Sequence, residues 1–137
     1  MSEKSEKAKE LFKSGCNCSQ AVLGVFCEEM GLDFETALKI ASSFGGGMGR
    51  MREVCGTVSG MFMAAGLGLY PNNATNQDKN EHYKRIQELA QKFKDENGSI
   101  ICRELLQGQK RPCVELVGMS VEILEKYMQK HKAVTKS

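Results

Sequence analysis

The sequence predicts an all-α protein: a single-domain bundle of about six to seven helices around a buried central helix rich in small residues. Three observations carry this reading. Apolar residues recur at three- and four-residue steps through most of the chain, the period of a helix with one buried face. Only two prolines, Pro71 and Pro112, interrupt it. Runs of β-branched residues, the usual mark of strands, are few. With 41% apolar and 26% charged residues, 137 in all, the chain has enough apolar surface for one core. Residues 1–137 read as one domain, with no internal repeat, low-complexity tract or linker.

Ala8, Leu11 and Phe12 give the first helix its stripe, and Gly15 stops it. A second helix runs from about Cys18 to Met30, with Ala21, Val22, Val25 and Phe26 inward and Gly31 ending it. Asp33 caps a third, predicted through about Ser43. The segment FGGGMGRMREVCG, Phe44 to Gly56, then breaks the pattern with five glycines. It matches neither of the glycine-rich nucleotide motifs and follows a helix where both need a strand. Its expected role is to let backbone approach the thiols or the next helix closely.

From Val54 to Gln77 the chain carries no charge, and its apolar part ends at Tyr70. This is short for a membrane span, diluted by Gly56, Gly60, Gly66 and Gly68, so it reads as the buried central helix. Gly56, Gly60, Ala64 and Gly68 recur every four residues and make a ridge of small groups for another backbone to pack on. PNNATNQ, Pro71 to Gln77, is a surface loop. A fifth helix is predicted from about Asp78 to Asn97, with Tyr83, Ile86, Leu89, Ala90 and Phe93 inward. Ser99 opens a short helix holding Ile100, Ile101, Cys102, Leu105 and Leu106. The last runs from about Cys113 to His131, with Val114, Val117, Val121, Leu124 and Met128 as a core stripe. His82 and His131 fall on polar stretches and read as solvated.

Nineteen basic against 17 acidic residues leave +2. Nucleic-acid binding needs a concentrated basic face, so no nucleic-acid partner is expected. The opening MSEKSEKAKE lacks the apolar core of a secretory signal, so a cytoplasmic protein is expected. Its six cysteines fall short of the ~8–10% of a disulfide-built scaffold, and in a reducing compartment thiols read first as reactive or metal-binding.

Cys18, Cys55, Cys102 and Cys113 all fall at or just inside predicted helix starts, where exposed N–H groups and the positive dipole end stabilise a thiolate. Arg50 and Arg52 beside Cys55, and Lys110 and Arg111 beside Cys113, are expected to add to this. Cys27, inside the second helix, reads as packing. Cys16 forms a Cys-x-Cys pair with Cys18, which could chelate a metal or supply an extra exchanging thiol, or be held by the turn with no role. No Cys-x-x-Cys occurs, which weakens a structural zinc finger. Zinc or an iron–sulfur cluster held by the same four residues stays open, because a folded bundle can gather distant thiolates. Two disulfides, in any of three pairings, stay open too.

The ordered motifs GCNCSQ at Gly15–Gln20, GGGMGRMREVCGTVSG from Gly45, GSIICRELL from Gly98 and PCVELV from Pro112 resemble the C-GCAxxG-C-C family, whose proteins are assigned a redox role. The likeness spans about residues 8–128. Carried over residue by residue, it implies that the family's cysteines are Cys18, Cys55, Cys102 and Cys113, with Cys16 and Cys27 outside the pattern. Thr57 stands where the family motif has alanine. The resemblance supplies no substrate.

The resulting expectation is a thiol redox protein, a thiol–disulfide oxidoreductase by type, in which Cys18, Cys55, Cys102 and Cys113 carry thiol–disulfide exchange or electron relay. Cys55 is the expected attacking thiolate, with one of the others resolving it. Its partner is a redox protein or a small thiol. The rivals are a module holding zinc or an iron–sulfur cluster through the same cysteines, and a non-catalytic partner protein using the exposed face of the last helix.

Overall fold

The computed structural model describes residues 2–108 and 111–135. Among them are seven α-helices: α1 Glu3–Lys13, α2 Cys18–Phe26, α3 Phe34–Ala41, α4 Gly56–Leu69, α5 Asn76–Asn97, α6 Cys102–Gly108 and α7 Cys113–Thr135. Short 3-10 turns occupy Glu28–Met30 and Ser42–Phe44. Gly45–Met48 also closes one turn, but Gly46 (φ 65°) and Gly47 (φ 75°) inside it are left-handed, so it is no α-helix. The all-α expectation holds.

Side chains start the helices as polar caps should. Asn17 Oδ1 accepts from the Gln20 N–H at 2.9 Å while Gln20 Oε1 accepts from the Asn17 N–H at 2.9 Å. Thr75 and Asp78 do the same for α5, which therefore begins two residues before the expected Asp78. Helix α7 continues past the expected His131 to Thr135.

Helices α2 and α4 form the centre and make the most extensive helix pair, while α7 lies along α1 and also crosses α4. The small-residue ridge explains how closely α2 and α4 approach. A Cβ at Gly60 would meet Ser19 O at 2.8 Å and Val22 Cβ at 3.0 Å. Val58, Met61, Ala64 and Ala65 of α4 are wholly buried together with Val22 of α2, Leu89 and Phe93 of α5, and Val117, Val121 and Leu124 of α7. No helix is long and apolar enough to cross a membrane among the described residues.

Four local expectations are corrected. Ile100 and Ile101 are not helical: Ile101 pairs with Val54 in an isolated antiparallel bridge, and α6 starts only at Cys102. Tyr83 is 55% exposed, because the inward line of α5 runs through His82, Leu89, Phe93 and Asn97. His82 is therefore buried, edge-on to the Tyr70 ring with centroids 5.1 Å apart. Among the described residues its Nδ1 has no hydrogen-bond partner, and burial, helped by Arg85, holds its pKa below the ordinary imidazole value. His131 is half-buried against Tyr127, ring centroids 4.1 Å apart.

Candidate functional site

The Asn17 cap makes Cys18 the first residue of α2, and Asn17 Nδ2 donates to Ser42 O at 3.1 Å, tying this helix start to the segment that leads into the glycines. There the backbone turns left-handed for five consecutive residues, Gly46, Gly47, Met48, Gly49 and Arg50, and again at Arg52. Glycine reaches such φ values without a Cβ penalty. The Glu53 N–H returns to Gly47 O at 3.0 Å, which closes the loop and delivers the chain to Cys55.

Cys55 and Cys102 are brought together by backbone. The Cys55 N–H donates to Ile100 O at 2.8 Å, the Cys102 N–H to Glu53 O at 2.6 Å and the Arg103 N–H to Arg52 O at 3.2 Å. This short two-stranded clamp contains the Val54–Ile101 bridge and ends where α4 and α6 begin. Pro112 opens the last element: its carbonyl accepts from the Glu115 N–H at 3.0 Å, and Cys113 is the first residue of α7.

These four cysteines, from four separate helix starts, line one cleft of about 500 Å³ together with Gly45, Gly46, Gly47, Gly49, Arg50 and Arg52. An adjoining, mostly apolar limb of about 430 Å³ shares Cys55, Cys102, Cys113, Leu106 and Leu116 with it and adds Leu105, Arg111 and Pro112. Cys18 Sγ occupies the space a side chain at position 56 would need, so only glycine fits there. Likewise a Cβ at Gly47 would stand 2.6 Å from Cys102 Cβ. All four thiols are free.

Their environments differ. Cys55 is 6% exposed, and its Sγ shares a 3.0 Å hydrogen bond with Thr57 Oγ1. Burial pushes its thiol up to about 11, with the Thr57 bond opposing and Cys18 adding to the rise. Cys102 is buried, with Arg52 Nη1 donating to its Sγ at 3.7 Å. Cys18 is half-buried and Cys113 exposed. The Cys113 thiol is still pushed up by partial burial on its cleft side, then by Cys18 and Cys102, while Arg52 pulls it down.

The expectation of an activated Cys55 is thereby corrected. A dipole end and two arginines were expected to favour its thiolate, but desolvation outweighs the first and the arginine that reaches a thiol serves Cys102 instead. Near Cys113, Lys110 lies outside the described residues. Arg111 Nη1 donates to Glu96 O at 2.9 Å and Asn97 Oδ1 at 2.8 Å, so it is held by the end of α5. Cys27 is fully buried and its Sγ donates to Gly24 O at 3.4 Å, a packing position. Cys16 rests against the core, and burial pushes its thiol up.

Two neighbours of the thiols went unnoticed in the sequence. For Thr57 the signal is local: a hydroxyl two residues after a cysteine at a helix start is within reach of its sulfur. The pairing of Arg52 with Cys102 has no local signal, being set by the left-handed loop. Among the described residues, no three His, Cys, Asp or Glu side chains are grouped to hold a metal ion. The cleft carries one exposed thiol, Cys113, one half-buried, Cys18, and two buried, Cys55 and Cys102.

A family model described as "Putative redox-active protein (C_GCAxxG_C_C)" matches residues 16–127. Searches of curated proteins and of solved structures give no match.

Proposed function

The chain belongs to the C_GCAxxG_C_C redox family, and from that premise we propose that it is a thiol–disulfide exchange protein whose working residues are Cys18, Cys55, Cys102 and Cys113. The observation that carries the reading is their convergence from four helix starts on one cleft. Residues 1–137 are taken as one domain serving that cleft.

Cys113 is the entry thiol, because it alone of the four is exposed. Its thiolate attacks one sulfur of an incoming disulfide RSSR; the S–S bond breaks, RS⁻ leaves and takes a proton, and a mixed disulfide forms. Cys18 or Cys102, both electrostatic neighbours of Cys113, loses its proton and attacks the Cys113 sulfur, releasing the second RSH. Two protein thiols are oxidised and one disulfide is reduced to two thiols, so electrons and protons balance. Cys55 stays protonated at neutral pH and exchanges later, through Cys18, its charged-state neighbour. The redox partner is a small thiol–disulfide couple or a dithiol protein. The zinc or iron–sulfur alternative needs three or four sulfurs at ligand distance; among the described residues no three are so grouped, whereas exchange needs only two at a time.

Peptide mapping tests this. The fully reduced, metal-free protein, mildly oxidised, should lose two thiols and yield a cross-link between two of Cys18, Cys55, Cys102 and Cys113. If those four stay reduced, or only Cys16 and Cys27 react, the proposal fails.

A further inference from the structure

The cleft contains positive charge that the exchange chemistry alone does not require. Arg50 and Arg52 both line it, and among the described residues no aspartate or glutamate does. Neither arginine is in an ion pair among the described residues. The nearest acid in sequence, Glu53, is taken by Arg103, Nη2 to Oε1 at 3.3 Å, and the Arg52 guanidinium donates to the Cys102 sulfur. Two guanidinium groups in one concave space, without carboxylates, favour an anionic guest.

We propose that the disulfide reduced here is a small, negatively charged molecule, a low-molecular-weight disulfide with carboxylate or phosphate arms. This rests on the redox reading above and goes beyond it by fixing the charge and size of the substrate. A volume of about 500 Å³ is that of a small-ligand site. The glycine wall lets backbone approach such a molecule without side chains in the way. The limb formed by Leu105, Leu106, Pro112 and Leu116 receives its aliphatic part. The charge also serves the reaction: when RSSR is cleaved, the electron pair of the broken S–S bond leaves on RS⁻, and a guanidinium beside it stabilises that thiolate until it takes up a proton.

Three disulfides of similar size and different charge test this on the reduced, metal-free, full-length protein: 3,3′-dithiodipropionate with two carboxylates, neutral bis(2-hydroxyethyl) disulfide, and cystamine with two ammonium groups. At low salt the dianion should oxidise the cleft thiols about tenfold faster than the neutral probe, and cystamine should be slowest. The dianion's advantage should shrink as salt rises, and should fall toward one in an Arg50→Gln, Arg52→Gln variant. The salt series on the unmodified protein decides the matter if that variant does not fold. Equal rates for all three, or cystamine fastest, would overturn the anionic substrate while leaving the exchange reading intact. If none of the three oxidises a cleft thiol, the exchange reading itself falls and this inference with it.

Discussion

Cys55 Sγ and Thr57 Oγ1 stand 3.0 Å apart at the buried first turn of α4, so this buried cleft thiol is joined to a hydroxyl that follows it by two residues. The bond opposes the desolvation that raises the thiol. A neutral hydrogen bond is worth ~0.5–1.5 kcal/mol, or roughly a 2- to 10-fold change in an equilibrium. Thr57→Val keeps the shape and removes the hydroxyl. It should push the Cys55 titration higher and slow alkylation of that cysteine between pH 9 and 10 by roughly 2- to 10-fold, as followed by mass spectrometry. An unchanged Cys55 rate would show that the hydroxyl does not act on the thiol.

Accessibility should order the cysteines under native alkylation at pH 8. Cys113 is exposed, whereas Cys55 and Cys27 are buried. A thiol raised to about 11 is only about 0.1% thiolate at that pH, and the thiolate is the nucleophile. Cys113 should therefore be labelled first and Cys55 at least about tenfold more slowly. Cys55 labelled ahead of Cys113 would contradict the depth at which the structure places it.

The same thiol should make stability fall at alkaline pH. Its titration moves from the ordinary 9.0 to about 11 on folding, so the folded chain holds this proton more tightly than the unfolded one. That contribution is complete below about pH 9 and is lost as pH rises through about 11, on the order of 3 kcal/mol for a group this buried. Urea melts at pH 8 and pH 10.5 should show a steeper decline for the natural protein than for Cys55→Ser. Parallel declines would mean that Cys55 titrates normally when folded.

Packing between α2 and α4 is tested at Gly60. Leucine there starts with a Cβ 2.8 Å from Ser19 O, a backbone atom that cannot rotate away, and overpacking typically costs ~1–3 kcal/mol or more. The thermal midpoint of Gly60→Leu should drop by several degrees. A midpoint equal to that of the natural protein would place the ridge away from α2.

Much of this was legible because it depends on local chemistry. Stripes such as Val117, Val121 and Leu124 announce a buried helix face whatever they pack on, and Asn17 or Thr75 announces a helix start. That same local logic put cysteines at helix starts. Burial is another matter. The depth of Cys55 depends on α2 and α4 meeting across glycines, and desolvation then outweighs the dipole end that sequence position suggests. The destination of Arg52 depends on a loop whose handedness no periodicity encodes. Ile100 and Ile101 look helical beside Cys102 until the partner at Val54, far off in sequence, claims them for a bridge. Tyr83 and His82 exchanged faces because neighbouring positions on a helix differ by only about 100°, and a long, mostly polar helix constrains its rotation weakly.

The turn from Gly46 to Arg50 runs with the opposite screw sense to the helices around it. L-residues pay roughly 1–2 kcal/mol for each position of this kind, and Met48 and Arg50 carry a side chain in the turn, as Arg52 does just beyond it. Enantiomers should therefore be distinguishable in this segment. At Gly49 (φ 61°), where an L-oriented Cβ would meet only Ser43 O at 3.7 Å, backbone preference rather than crowding decides the outcome. In protein assembled by chemical ligation, D-alanine at that position should be more stable than L-alanine by about 1–2 kcal/mol, making one wall of the thiol cleft a place where mirror-image residues are the natural fit.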